Sequence, residues 1–171
     1  EKTGEAVLDD GEDFSFNRGC AKLADAPPET DAASERTHTI HLKPLDDFLS
    51  GEPGPAVVKL DVESAELRVL EGAARSLRDR LIRDLIYEDF GAQPSELAQR
   101  LRDAGFTLFA FQPGWSGPGL ATLDENWGPP PDSSCNFLAP LDPERAERRY
   151  RPRGWHCLRS AGAWKRRHPR N

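Results

Sequence analysis

The stretch Val57-Val58-Lys59-Leu60-Asp61-Val62-Glu63-Ser64-Ala65-Glu66-Leu67-Arg68-Val69-Leu70-Glu71-Gly72-Ala73 decides how this chain is read. It belongs to a mostly apolar run, residues 56–60, that stops at Asp61. A continuous run of this length reads as a strand covered on both faces, the pattern of a parallel sheet. Past the acids the period changes. Leu67, Leu70, Ala74, Leu77 and Leu81 recur at intervals of 3 and 4 residues, which is one face of a helix. Gly72 falls inside that pattern and is expected to divide it in two. Leu85-Ile86-Tyr87 then reads as a second buried strand, ending in Glu88-Asp89.

Toward the C-terminus, Ser95 opens another helix with Leu97, Leu101 and Ala104 on one face and Gly105 at its stop. Residues 106–111 read as a strand, residues 112–133 as a long loop, and residues 135–139 as a last strand. Toward the N-terminus, residues 5–8 read as the end of a buried strand and Asp9-Asp10-Gly11 as a turn. Phe14 and Phe16 alternate as in a short strand, residues 19–35 form a surface loop, residues 36–42 a strand, and residues 44–49 a helical turn or two. The alternation makes the fold α/β. The two final strands have no helix between them, which predicts an antiparallel hairpin at the C-terminal edge of the sheet.

Composition narrows the function. The chain has 171 residues, enough for one ordinary domain, with 37% apolar and 30% charged residues. No apolar run is long enough for a transmembrane helix, no secretory leader is recognisable, and no internal repeat occurs. The cytoplasm is the expected compartment. Cys20, Cys135 and Cys157 show no C-x-x-C spacing, so zinc is not expected; ordinary thiols are favoured, with one disulfide left open. His38 and His41 are three apart in a predicted strand, so they point to opposite faces and share no metal.

The net charge of −6 is unevenly distributed. Residues 144–171 hold 10 Lys or Arg and 2 Glu, or +8, leaving −14 on residues 1–143. The chain is therefore divided into a domain, residues 1–142, and a basic, Arg-rich tail, residues 143–171. A solvated tail is the plainer reading. An anionic partner, such as nucleic acid, lipid or the acidic body itself, is the functional one. Nothing else reads as a nucleic-acid module.

In open α/β sheets ligands bind beyond the carboxyl ends of the strands. Asp61 with Glu63, and Glu88 with Asp89, end two neighbouring strands there. Glu66 at a helix start is readily explained by the helix dipole. Asp61 is harder to explain structurally, because a charge directly after a buried strand is costly without a partner. Lys59 is the candidate partner.

Residues 57–73 also carry a resemblance. Lys59, Asp61, Val62, Glu63, Ala65, Glu66, Val69, Leu70, Gly72 and Ala73 match the K-x-D-V-E-G-x-E-x-x-V-L-x-G-A run of the FkbM methyltransferases, with Ser64 standing where that family has glycine. Flanking marks agree in order: the turn at residues 6–11, Leu45-Asp46-Asp47-Phe48-Leu49, the acid-ended strand at residues 85–88, residues 101–106, and Asn136-Phe137-Leu138. The likeness spans about residues 5–140.

The resemblance implies a Rossmann-like class I methyltransferase sheet, with the hallmark strand fourth and central. It also implies S-adenosylmethionine as methyl donor and O-methylation of a small-molecule, sugar or lipid hydroxyl. The family's first strand and glycine-rich cofactor turn are not found. Gly114, Gly117 and Gly119 lie in a Pro-containing loop that joins no strand to a helix. The sheet is therefore expected to be incomplete on its N-terminal side, in a partial chain that binds the donor weakly or not at all, with an exposed flank.

In methyl transfer from a sulfonium, a carboxylate against the sulfur stabilises the ground state more than the transition state. Asp61 and Glu63 are therefore expected to face the acceptor hydroxyl or the donor's amino group, with Asp61 in acceptor or base work and Glu63 supporting it, and Glu88 is the third catalytic candidate. Asp9 and Asp10 are candidates for cofactor contact, against the plainer reading of a turn. Two alternatives remain. One is a magnesium enzyme using Asp61, Glu63 and Glu88. The other is a non-catalytic methyltransferase-like module that docks a partner.

Overall fold

The computed structural model describes residues 3–10, 21–24, 37–90, 94–112, 119–123 and 135–150. The expected strand at Phe14 and Phe16, Cys20, Cys157 and the chain beyond Tyr150 lie outside these residues.

Two sheets organise the described chain. The smaller is antiparallel, in the order β2 (Lys22–Leu23), β1 (Gly4–Asp9), β3 (Thr37–Leu42). The predicted strand at residues 36–42 is therefore present, and a two-residue strand lies within the stretch read as a loop. The strand at residues 5–8 was expected to be buried, yet β1 is exposed to half-buried throughout. It belongs to this small sheet, where the three strands cover one another only along their edges. His38 and His41 sit on separate acids, Asp10 at 3.0 Å and Glu5 at 3.6 Å.

The larger sheet is mixed, in the order β4 (Ala56–Leu60), β5 (Ile82–Glu88), β8 (Asn136–Pro140), β6 (Phe109–Gln112), β7 (Gly119–Thr122). β4 and β5 are parallel, as the unbroken apolar runs predict. β8 runs antiparallel to both β5 and β6, so β6 runs the same way as β5. Two expectations are corrected here. The final antiparallel pair exists, but β8 is inserted inside the sheet. The edge is taken by β7, a strand hidden in the Gly- and Pro-rich stretch read as loop. The hallmark strand β4, expected to be central, is the opposite edge among the described residues. Burial alternates along it, with Leu60 buried and Val57 55% exposed, so one of its faces is uncovered.

Helices cover the two faces unequally. α2 (Glu66–Glu71) and α3 (Ala74–Arg78) are the two pieces into which Gly72 was expected to split the pattern, and α4 (Glu96–Asp103) follows β5. Their apolar residues pack with Leu60, Leu85, Tyr87, Phe137 and Ala139 into the main core. Tyr87 and Phe137 stack with ring centroids 5.2 Å apart. Gly105 ends α4 at φ +89°, a conformation other residues adopt at a cost. On the other face α5 (Pro143–Tyr150) buries Ala146 against Phe109 and Leu138. The first eight residues of the stretch read as tail are thus a helix docked on the sheet. Arg145 and Arg83 both pair with the buried Asp84, which fastens that helix to β5.

α1 (Leu45–Leu49) explains its acid pair. Asp46 accepts hydrogen bonds from Arg75 N at 3.0 Å, Ser76 N at 2.7 Å and Ser76 Oγ at 2.6 Å. It thereby caps the start of α3, whose own cap residue, Ala73, has no side chain able to do so. Burial pushes the Asp46 carboxyl up, but the Ser76 and Arg75 hydrogen bonds and the Arg75 charge outweigh it and leave the carboxyl below its ordinary range.

Candidate active site

Parallel strands followed by helices leave a crevice beyond their carboxyl ends, bounded by the starts of the helices. Here β4 leads through residues 61–65 into α2, and β5 leads through Glu88-Asp89-Phe90 toward α4. Between them lies a cavity of about 230 Å³. Asp61, Glu63 and Glu88, assigned from sequence to one site, all line it.

Each acid is held differently. Asp61 is exposed and ion-paired to Lys59, two residues back on the same side of β4. The pair answers the sequence puzzle of Asp61: it is not a buried charge, and it has the partner anticipated for it. The Asp61 hydrogen bond keeps the Lys59 ammonium charged above its ordinary range. Glu63 and Ser64 both have positive φ, +46° and +76°. This left-handed turn reverses the chain between β4 and α2, and it shows why glycine suits position 64. Glu66 opens α2, where a carboxylate complements the helix dipole, and it also accepts from Val62 N at 3.4 Å. Glu88 accepts from Asn136 Nδ2 at 3.0 Å across the β5–β8 pair.

The crevice also holds residues that sequence reasoning left out of the site. Asp89 accepts from Ser95 Oγ, while the same hydroxyl oxygen caps α4 by accepting from Ala98 N at 3.0 Å. Glu96 and Phe90 line the cavity, and Phe90 is 78% exposed. The available signal was the parallel pairing itself: if β4 and β5 end together, the starts of both following helices face one crevice. Asn136 was visible as a motif residue without a role, and its role here is to hold Glu88. Asp9 and Asp10 do not line this cavity. Asp9 is paired in register with Lys22 and Thr37, and Asp10 faces His38.

No group of three or more His, Cys, Asp or Glu among the described residues is arranged to hold a metal ion. The magnesium alternative therefore gains no support from geometry. No helix among them is long and apolar enough to cross a membrane.

A mixed α/β sheet with an acid-lined crevice at its strand ends has its crevice where open α/β sheets bind ligands. The family comparison then gives the particular class. The methyltransferase FkbM domain matches residues 8–108, more than half the chain, and the chain belongs to that family. No curated protein and no solved structure matches it.

Proposed function

We propose that the crevice is the acceptor half of an S-adenosylmethionine-dependent O-methyltransferase site acting on a hydroxyl of a small molecule, sugar or lipid. The observation that carries this reading is the convergence of Asp61, Glu63 and Glu88, from two strand ends, on one cavity in a chain of the FkbM family. The strand order supports the class I, Rossmann-like reading, since a reversed strand lies between two that run alike and β4 is an open edge where further strands would add. An open edge at β4 among the described residues supports the reading of a sheet incomplete on that side.

The described residues fit an acceptor better than they fit the whole cofactor. Carboxylates suit hydroxyl groups as hydrogen-bond acceptors. A cavity of about 230 Å³ is small beside the usual ~300–1,000 Å³ of a ligand site. No glycine turn joining a strand to a helix occurs among the described residues to cradle an adenosine. No step is therefore routed through the donor. Asp61, steadied by Lys59, takes the hydroxyl proton, Glu63 supports it, and Glu88, fixed by Asn136, orients the acceptor.

The test is turnover of labelled S-adenosylmethionine with hydroxylated acceptors, together with calorimetric titration of the donor. Asp61→Asn lowers turnover at least tenfold, and by up to the ~10²–10⁴-fold that general base catalysis supplies. Unchanged turnover removes that role. Donor binding without methyl transfer to any hydroxylated acceptor favours the non-catalytic module instead.

A further inference from the structure

The small sheet has an apolar face that enters neither core cluster. In its register Leu42 lies opposite Gly4, Ile40 opposite Ala6, and Leu23 opposite Leu8. Directly opposed residues share a face, and so do alternate residues along a strand. Ala6, Leu8, Leu23, Ile40 and Leu42 therefore stand together, with His38 at the far end. Apart from Val7 the other face is polar, with Glu5, Asp9, Lys22, Thr39 and His41. The five apolar residues are all half-buried, and none belongs to the clusters packed on the larger sheet.

A second cavity, of about 230 Å³, opens between part of this face and the helices. Leu23 and Leu42 line it from the sheet, Leu45 and Phe48 from α1, and Val69 from α2. Its helical wall is fixed. Leu45 and Val69 also pack on the main core, and Asp46 N donates to Gly72 O at 2.9 Å, tying the start of α1 to the end of α2. The two cavities divide α2 between them and share no lining residue: Glu66 and Leu67 line the acid-lined crevice, Arg68 and Val69 this one.

The charge of this cavity is opposite to that of the crevice. Among the described residues its lining includes Lys43 and Arg68, both exposed, and no acid. An apolar cavity with a few charged groups at its rim suits a ligand that has an apolar body and one end of opposite charge. Size sets the body. An apolar cavity of ~150 Å³ holds benzene, so this one takes a chain of about eight carbons, or one ring with a short side chain.

We propose that this cavity is a binding site for a small monocarboxylate with an aliphatic or aromatic body. The apolar body lies among Leu23, Leu42, Phe48 and Val69, and the carboxylate meets Lys43 and Arg68 at the rim. The site stands apart from the methyl-transfer reading, because no residue of the crevice takes part in it.

Calorimetric titration of the full chain tests this, with octanoate as probe, 1-octanol as its uncharged counterpart and hexanoate as its shorter one. Octanoate binds roughly fivefold more tightly than octanol, the worth of two exposed ion pairs. It binds roughly tenfold more tightly than hexanoate, the worth of two buried methylenes. Lys43→Glu removes the advantage of octanoate and leaves octanol unchanged, while Phe48→Ser weakens both at least threefold. Lys43 and Phe48 are exposed, so both variants keep the melting temperature of the parent. Equal affinity for octanoate and octanol, no saturable binding, or an affinity that neither substitution moves overturns the proposal. A dimer that Phe48→Ser dissociates, with no octanoate bound, gives the cavity to a second copy of the chain and overturns it as well.

Discussion

Replacing Ser64 by glycine should stabilise this protein, against the usual direction of such a change. Ser64 holds φ +76° directly after Glu63 at φ +46°. A left-handed conformation costs a residue bearing a Cβ about 1–2 kcal/mol, and glycine removes that cost. Glycine also loosens the unfolded chain, which takes back about 0.4–1 kcal/mol. The net gain is about 0.5–1 kcal/mol. With a urea slope of about 2 kcal/mol per molar, the unfolding midpoint moves up by roughly 0.25–0.5 M. The assay is urea unfolding followed by circular dichroism, with Ser64→Ala in parallel. Alanine keeps the Cβ and therefore the strain, so its midpoint stays within ~0.25 M of the parent. A lower midpoint for Ser64→Gly, or an equal rise for Ser64→Ala, would refute the assignment of strain to this turn.

Asp46→Ala removes the cap of α3 and lowers stability by about 2 kcal/mol at neutral pH. Because the folded-state carboxyl lies below the ordinary 3.8, its contribution is present above that value and is lost as pH falls through the folded-state one. Urea midpoints of parent and variant therefore converge in acid. Arg145→Ala leaves Asp84 to Arg83 alone and costs about 2–3 kcal/mol, with amide exchange in α5 accelerating before that in β5. Asn136→Ala frees the Glu88 carboxylate, so turnover falls several-fold while the melting temperature moves little, and Asn136→Gln restores part of the loss. Val57→Lys at the open edge changes stability by less than ~0.5 kcal/mol and lowers self-association measured by light scattering.

The elements whose period is set by burial were legible from sequence: β4, β5, the α2–α3 pair broken at Gly72, and α4 between Ser95 and Gly105. So were the acids of the crevice, because a buried strand that stops at a carboxylate announces its own end. β2 and β7 were not legible. Each is short, set in polar or Gly- and Pro-rich sequence, and extended by its neighbour's hydrogen bonds rather than by its own side chains. The uncovered face of β4 was also hidden. Val57 and Val58 are the same residue type, yet one is exposed and the other packs into the core, and only the missing cover on one face separates them. Helix α5 was masked by its charge, since five of its eight residues are Glu or Arg and its anchoring depends on Ala146, Tyr150 and one buried ion pair.

The reversed strand between β5 and β6 has a consequence for synthesis on the ribosome. β5 and β6 cannot bond to each other across the gap that β8 fills, and β8 is made some 47 residues after β5 ends, the distance from Glu88 to Cys135. Until Asn136–Pro140 has left the exit tunnel, the nascent chain holds two separate β-hydrogen-bonding rims, one on each half of the unfinished sheet. Closing so long a loop is slow. That interval is when this protein is most exposed to chaperones and to wrong partners.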